Sequence, residues 1–483
     1  MLFNTYEFAV FFICVLGALY FCSYRHRWLL LLIASYIFYA AWRPAFAFWL
    51  ILTTGVDYAA ARIMDAAKAP RLRKAALIGS IAINLGILFA FKYFDFFMSN
   101  VAGLAGFLGV EIPHSALSLI LPLGISFYTF QSMSYVIDVY FRRVRAETHF
   151  GIYALYVAFF PQLIAGPIGR AGRLLPQFRN PKPPTPVGVS SGLWLVGYGL
   201  FKKMCIADLI APLVNRAFQD PSHFNGSYLI IATVLFALQI YCDFSGYSDI
   251  AIGVARIMGY DLMINFRQPY LSTSLTEFWR RWHISLSTWF RDYLYVPLGG
   301  NRVAVGRWAL NILVVFLLSG LWHGAAWGFV AWGAIHGGGL IVERLAKRVL
   351  QHPVAQRRFG AVGPVLGRVF GFLFTAAVVL VGWVFFRAAS IDQAIDILSR
   401  MTTLGRLQYG TFTALSLPAF ELALTALNIA MLLVVDYLLS VDSALLAKLG
   451  RHAPLRICLG VALAYDIVFF GVFGRLNFIY FQF

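Results

Sequence analysis

Charge is scarce in this chain. Asp, Glu, Lys and Arg together make up 12% of its 483 residues, and acidic side chains number 21 against 39 basic ones. The five cysteines, Cys14, Cys22, Cys205, Cys242 and Cys458, are scattered without a Cys-x-x-Cys pair, so neither a disulfide framework nor a thiolate metal cluster follows. Also missing are a Gly-x-Ser-x-Gly elbow, a Walker loop, a Rossmann fingerprint and any His/Asp set at metal-ligand spacing. No metal site and no bound cofactor are expected. The chain shows no internal repeat, which weighs against transporter folds built from repeated halves. No shift in composition sets off a soluble domain, so residues 1–483 are expected to form a single membrane domain with a motif-rich core at about 117–343.

What the chain does have is apolar sequence, 60% of all residues. A membrane span needs about 20 apolar residues, fewer where a helix is re-entrant or buried in protein. Candidates are 7–23, 28–42, 45–61, 75–96, 117–140, 190–215, 228–255, 308–323, 325–343, 369–386, 416–440 and 457–474. The stretch 150–168 is apolar but lies between basic loops and contains Phe160-Pro161 and Gly166-Pro167, which suits a segment entering and leaving by one face. The expected fold is an all-α polytopic membrane protein with about 11–13 membrane helices, short or re-entrant ones included. The first span lacks a basic leader and a small-residue cleavage site, so it reads as retained.

The net charge of +18 is unevenly spread. Segments 62–74, 142–145, 170–182, 256–307 and 344–368 hold much of the Lys and Arg, whereas 98–117 and 217–229 hold none. Positive loops stay in the cytoplasm, which places both termini on the opposite side. Charge of this sign also suits nucleic acid, but so much lipid-length apolar sequence argues against that partner and for membrane lipid.

An ionisable group at membrane depth costs roughly 2.5 kcal/mol or more and is a functional hypothesis by default. His323, in Leu-Trp-His-Gly-Ala-Ala-Trp, is such a group. If its helix enters the membrane at Trp308, the residue sits about 22 Å above the inner face at 1.5 Å per residue. It reads either as a base or as a neutral imidazole bonded to a neighbouring helix. Gly324, Ala325 and Ala326 would let another backbone or a substrate come close. Upstream, Thr276, Arg280, His283, Ser287 and Arg291 recur at spacings of four, three, four and four, one polar stripe if the segment is a single helix. Phe278, Trp282, Leu286 and Trp289 make an apolar stripe beside it, and Glu277 can pair with Arg281. The segment reads as an interfacial anchor or as a phosphate-binding face beside a titratable group.

Asp243 and Asp249, in Tyr-Cys-Asp-Phe-Ser-Gly-Tyr-Ser-Asp, are expected to partner Arg or His in a cavity wall. His336, in Ala-Ile-His-Gly-Gly-Gly, suits close helix packing. Leu121-Pro-Leu-Gly is expected to kink its span. His26, His114, His149, His223, His352 and His452 read as surface groups.

These residues resemble a known family, the membrane-bound O-acyltransferases, and within it the bacterial alginate O-acetylation branch. The resemblance rests on Leu121-Pro-Leu-Gly-Ile-Ser-Phe-Tyr, Pro161-Gln-Leu-Ile-Ala-Gly-Pro, Tyr241-Cys-Asp-Phe-Ser-Gly-Tyr-Ser-Asp-Ile, Asn265-Phe-Arg-Gln-Pro-Tyr, Trp279-Arg-Arg-Trp-His-Ile-Ser-Leu-Ser, Arg291-Asp-Tyr-Leu-Tyr, Leu298-Gly-Gly-Asn-Arg, Gly320-Leu-Trp-His-Gly-Ala, Trp332-Gly-Ala-Ile-His-Gly and the terminal Phe478-Ile-Tyr-Phe-Gln-Phe. It implies that His323 is the catalytic histidine and His283 the second active-site position. It also implies an acyl-CoA donor in the cytosol, an acceptor on the far side and a tunnel between them.

The expected protein is therefore an inner-membrane O-acyltransferase moving acetyl from acetyl-CoA, as co-substrate, toward an exported alginate-like polysaccharide, directly or through a periplasmic partner protein. Relatives of the same type point to cellulose, peptidoglycan or, with D-alanine, teichoic acid as other acceptors. Arg280, Arg281 and Arg291 are candidates for the CoA phosphates, and Asp243, Asp249, Ser287 and Trp322 for a supporting network. A secondary transporter or flippase would instead need clustered mid-membrane carboxylates and repeated halves, and a noncatalytic scaffold leaves the cost of His323 unexplained.

Overall fold

The computed structural model describes residues 1–111, 116–350, 363–406, 419–441, 452–474 and 479. His114, His352 and the terminal run apart from Ile479 lie outside the described residues. Among the described residues every regular element is a helix. Each expected span overlaps one or more of them, and seven helices are long and apolar enough to cross a membrane by length and composition: Pro44–Ala66, Pro70–Phe107, Gly226–Ile257, Val305–His323, Val365–Arg387, Phe420–Val441 and Ala453–Phe470. Tyr6–Phe21 is apolar but shorter. The chain is a multi-pass, all-α membrane protein. Its residues cluster into two compact units, Met1–Val196 with Ser248–Met263, and Gly197–Tyr247 with Ile264–Phe483.

In the first unit two expectations resolve differently. The stretch 150–168 is broken as expected, into Phe150–Ala158 and Phe160–Leu163, with Pro161 in the second helix's first turn. The break frees backbone groups, and the protein supplies their partners. The Tyr156 carbonyl accepts from the side-chain amides of Gln131 at 2.5 Å and Gln162 at 2.9 Å, and the Phe160 N–H donates to Ser35 Oγ at 3.1 Å. Broken backbone is tolerated at membrane depth where protein satisfies it in this way. The Leu121-Pro-Leu-Gly run, by contrast, starts a helix instead of kinking one. Proline disfavours helix at the residue before it, and Gly124 adopts φ 73°, so the helix runs only from Ile125 to Tyr140. A Cβ at Gly124 would also strike the Leu163 carbonyl.

In the second unit, Val305–His323 and Trp327–Leu350 form a tight hairpin joined by Gly324–Ala326. Small residues set its spacing: a Cβ at Gly320 would strike the Phe329 backbone, and one at Gly333 the Phe316 backbone. The triple glycine serves packing in part, since a side chain at Gly339 would meet Leu275 and Val378 while Gly338 faces open space. Upstream, a π-helical turn, Phe201–Ala207, leads into the helix Asp208–Gln219. Wide turns of this kind cluster at functional sites and need outside partners for their carbonyls. Here Val472 N–H donates to the Met204 carbonyl at 3.1 Å and Asn428 Nδ2 to the Cys205 carbonyl at 3.3 Å.

Candidate active site

The residues singled out between Thr276 and Arg291 do not lie on one helix. Leu275–Arg281 and Ile284–Phe290 are two short helices, broken at an extended Trp282 and at His283, which adopts the left-handed conformation at φ 42°, ψ 55°. A non-glycine residue in this region is uncommon and is held there by its surroundings. Asn265 and Arg267 supply the hold. The Arg267 N–H donates to the Arg281 carbonyl and the Ile284 N–H to the Asn265 carbonyl, both at 2.9 Å, so the neighbouring strand of chain takes over the hydrogen bonds that a continuous helix would have made.

The first short helix is anchored at its N-terminus. Ser274 Oγ accepts from the Glu277 N–H at 3.2 Å. Glu343, from the Trp327–Leu350 helix, accepts from the Leu275 and Thr276 N–H groups at 2.6 and 3.3 Å and from the Thr276 hydroxyl at 2.8 Å. A carboxylate at a helix N-terminus is favoured by the exposed N–H groups and the helix dipole. Glu343 escaped the sequence reading, although a lone glutamate after an apolar span is a signal worth pursuing. The apolar stripe survives the break: Phe278, Trp282, Leu286 and Trp289 are all buried, so the segment is sunk into the unit and does not lie flat at an interface.

That burial changes the relation between the two histidines. The sequence reading separates them in depth, yet the structure brings them to one indole. The Trp322 ring centroid lies 6.0 Å from that of His283 and 5.0 Å from that of His323. Both imidazoles are buried. His323 ends its helix, its ring edge-on to Trp332 at 5.0 Å and to Phe386 at 5.4 Å. At the first of the small residues after it no path opens, because the Phe329 ring fills the space beside Gly324.

His283 has a defined tautomer. Asn265 Oδ1 accepts from the Ser285 N–H at 3.1 Å, and a backbone amide can only donate, so that side-chain atom is the oxygen. His283 Nδ1, 3.2 Å from the same oxygen, must then carry the hydrogen, leaving Nε2 as the ring's acceptor. Burial pushes the imidazole pKa down to about 3, which keeps the ring neutral at physiological pH. The Phe244 ring packs edge-on against it at 4.6 Å.

The other candidates scatter. Arg280 and Arg291 are exposed, the latter paired with Asp292 at 2.8 Å. Arg281 is half-buried and pairs with Glu277 at 2.6 Å, as the spacing implies. Ser287 donates to the Trp282 carbonyl at 3.1 Å across the break. Asp243 is buried, but its partner is neither Arg nor His. Lys203 Nζ lies 2.7 Å from its Oδ1, and the Ile479 N–H donates to its Oδ2 at 2.7 Å. Asp249 belongs to the first unit and is half-buried. His336 is fully buried among Trp332 at 4.9 Å, Trp279 at 5.0 Å and Phe278 at 6.3 Å. Gly382 makes room for it, since a Cβ there would come within 2.8 Å of its Nε2. Among the described residues no group of His, Cys, Asp and Glu could hold a metal ion.

Residues 144–382 match the MBOAT, membrane-bound O-acyltransferase family. A protein of Azotobacter vinelandii named "Probable alginate O-acetylase AlgI" is 40% identical over 443 residues, covering 91% of this chain and 84% of that one. The peptidoglycan O-acetyltransferase of Helicobacter pylori is 35% identical over 400 residues, covering 77% and 73%. The teichoic acid D-alanyltransferase of Streptococcus thermophilus is 30% identical over 240 residues, covering 47% and 57%.

Proposed function

This chain belongs to the membrane-bound O-acyltransferase family, and from that premise we propose that it moves an acetyl group from cytosolic acetyl-CoA to the hydroxyls of an exported, alginate-like polysaccharide. The observation that carries the site is the convergence of His283 and His323 on Trp322. A neutral imidazole can take a proton, and an acceptor hydroxyl must lose one as it attacks a thioester carbonyl. His323 is assigned as that base. It accepts the hydroxyl proton as the C–O bond forms and returns it to the CoA sulfur as the C–S bond breaks. His283, its Nδ1–H tied to Asn265, presents Nε2 as a fixed acceptor that orients the reacting groups. Trp322 and the segment around Ser287 hold the two rings in register, and Asp243 steadies Phe244 behind His283. A periplasmic partner protein is proposed to receive the acetyl before the glycan.

The CoA phosphates are assigned to Arg280 and Arg291, exposed guanidinium groups on the same segment as His283, with Arg281 held by Glu277. In a reconstituted assay with radiolabelled acetyl-CoA, Arg280→Ala and Arg291→Ala together should raise the KM for acetyl-CoA at least several-fold with a smaller effect on kcat. This is the signature of lost ground-state binding. An unchanged KM at equal protein levels would leave both as surface anchors. Absence of any transfer by the wild-type protein to polysaccharide or partner would overturn the activity itself.

The inner membrane, with both termini in the periplasm, is the orientation that the Lys/Arg asymmetry supports. With the exposed Cys14 and Cys458 replaced, a thiol from Gly103→Cys should react with an impermeant reagent added to the periplasmic side. One from Ala67→Cys should react only after the cytosolic face is opened. The reverse pattern would put the donor site on the wrong side.

A further inference from the structure

Within the second unit, the Val305–His323 and Gly363–Arg387 helices end at the same place, where the His323 and Phe386 rings meet edge-on at 5.4 Å. Arg387 is the next residue and the last of its helix. A cation in a last turn suits the helix dipole, and this one is also held by a neighbour. Its Nη2 donates to Asn215 Oδ1 at 2.7 Å, and its guanidinium carbon lies 5.9 Å from the centre of the Phe218 ring. Asn215 and Phe218 both belong to the Asp208–Gln219 helix. That helix is tied in turn to the residues beyond Arg387, since Gln393 Nε2 donates to the Phe218 carbonyl at 2.9 Å.

What the guanidinium lacks is a counter-charge. Among the described residues its hydrogen-bond partner is the neutral Asn215, and no carboxylate forms an ion pair with it. Asp396, on the following Ile391–Arg400 helix, is taken by Arg400 at 2.8 Å. Arg387 is half-buried, yet none of its nitrogens is buried without a partner, so the donors that Asn215 does not take open onto space that solvent reaches. Lys and Arg are concentrated on the cytoplasmic side of membrane proteins, and in the orientation proposed above this helix end lies on the other side. An arginine there calls for a reason. Anchored on one edge and open on the other, it can receive an anion, and its planar fork matches a carboxylate bidentately. Partial burial makes such a pair stronger than one in bulk water.

We propose that Arg387 is a specificity-determining residue that binds a carboxylate of the acceptor glycan. This rests on the acetyl-transfer reading and narrows it to acidic polymers such as alginate, a chain of uronic acids with a carboxylate on every sugar. Asn215 sets the angle of the guanidinium. Gripping the acid group at this end of the unit gathers the sugar hydroxyls on the side of His323, whether the glycan takes the acetyl there or from a partner docked beside it. A neutral glycan such as cellulose gains nothing from the contact.

The test measures binding of a fluorescently labelled oligouronate to purified full-length protein in detergent, without acetyl-CoA. The control is the same oligomer with its carboxyl groups reduced to alcohols. Wild type should bind the acidic oligomer about 10-fold or more tightly than the neutral one, the scale of one charge-assisted pair. Arg387→Met keeps the aliphatic stem and should erase that preference. Arg387→Lys keeps the charge without the fork and should retain part of it, and Asn215→Leu should weaken it several-fold. Melting temperature checks that each variant is folded, and if Arg387→Met is not, Arg387→Lys decides alone. With radiolabelled acetyl-CoA, both Arg387 variants should raise the KM for oligouronate and leave the KM for acetyl-CoA as it is. Equal binding of the two oligomers by wild type overturns the proposal, as does a preference that the Arg387 variants leave intact. A preference that is lost with Arg387, in a protein that transfers acetyl to no acceptor, would overturn the acetyl-transfer reading and leave the carboxylate site standing.

Discussion

His323→Ala will lower acetyl transfer by about 10²–10⁴-fold, the usual contribution of a positioned general base, while the protein still inserts and purifies. The fold should tolerate the change because His323 is the last residue of its helix, and its ring is one of several aromatic groups around Trp332 and Phe386. His323→Gln keeps a polar group in that place but cannot accept the proton, so it should be nearly as inactive. His336→Ala separates chemistry from packing. It empties a cage formed by Trp279, Trp332 and Phe278, and its loss should appear in yield and melting temperature before it appears in turnover per folded molecule. The measurement is transfer from radiolabelled acetyl-CoA at matched protein. Near wild-type transfer by His323→Ala would remove the residue from the mechanism and leave it a packing group.

The two histidines were legible in sequence for physical reasons. An imidazole inside an apolar helix is expensive, and a run such as Phe278-Trp-Arg-Arg-Trp-His places bulky aromatic and cationic groups too densely for an ordinary loop. The spans were legible because hydrocarbon thickness fixes helix length. What periodicity could not show is the break at Trp282–His283. The spacing of Thr276, Arg280, Ser287 and Arg291 is as helical as any, and the break is imposed from elsewhere, by Asn265 and Arg267 along one side and Glu343 at the end. Periodicity reports a local preference, and these contacts come from 14 to 68 residues away. Charge alone would also leave the segment of His283 apart from His323, whereas its buried aromatic face brings His283 to Trp322. Lys203 was legible in principle, since Lys202 and Lys203 interrupt an apolar run, but its carboxylate partners are set by the π-turn and by residue 243, which no local pattern connects.

Lys203→Met should be the most damaging substitution for the fold. Lys203 Nζ stands between Asp208 Oδ1 at 2.8 Å and Asp243 Oδ1 at 2.7 Å, and all three side chains are buried. Removing the cation keeps the aliphatic stem but leaves two carboxylates facing each other without a counter-charge. Breaking a buried pair in this way costs about 3–5 kcal/mol. The loss should fall on protein yield and on thermal unfolding in detergent. Asp208→Asn in the Lys203→Met background should recover part of it, because one of the two stranded charges is then gone. Asp243→Asn should be milder, as an asparagine oxygen can still accept the Ile479 N–H. The effect should also reach the site. Asp243 is followed by Phe244, whose ring backs His283 at 4.6 Å, so surviving Lys203→Met protein should show reduced kcat with little change in the KM for acetyl-CoA. Wild-type melting of Lys203→Met would show that the cluster does not hold the helices. Normal melting of the double variant with kcat still depressed would place the kinetic role in the orientation of Phe244 and not in stability.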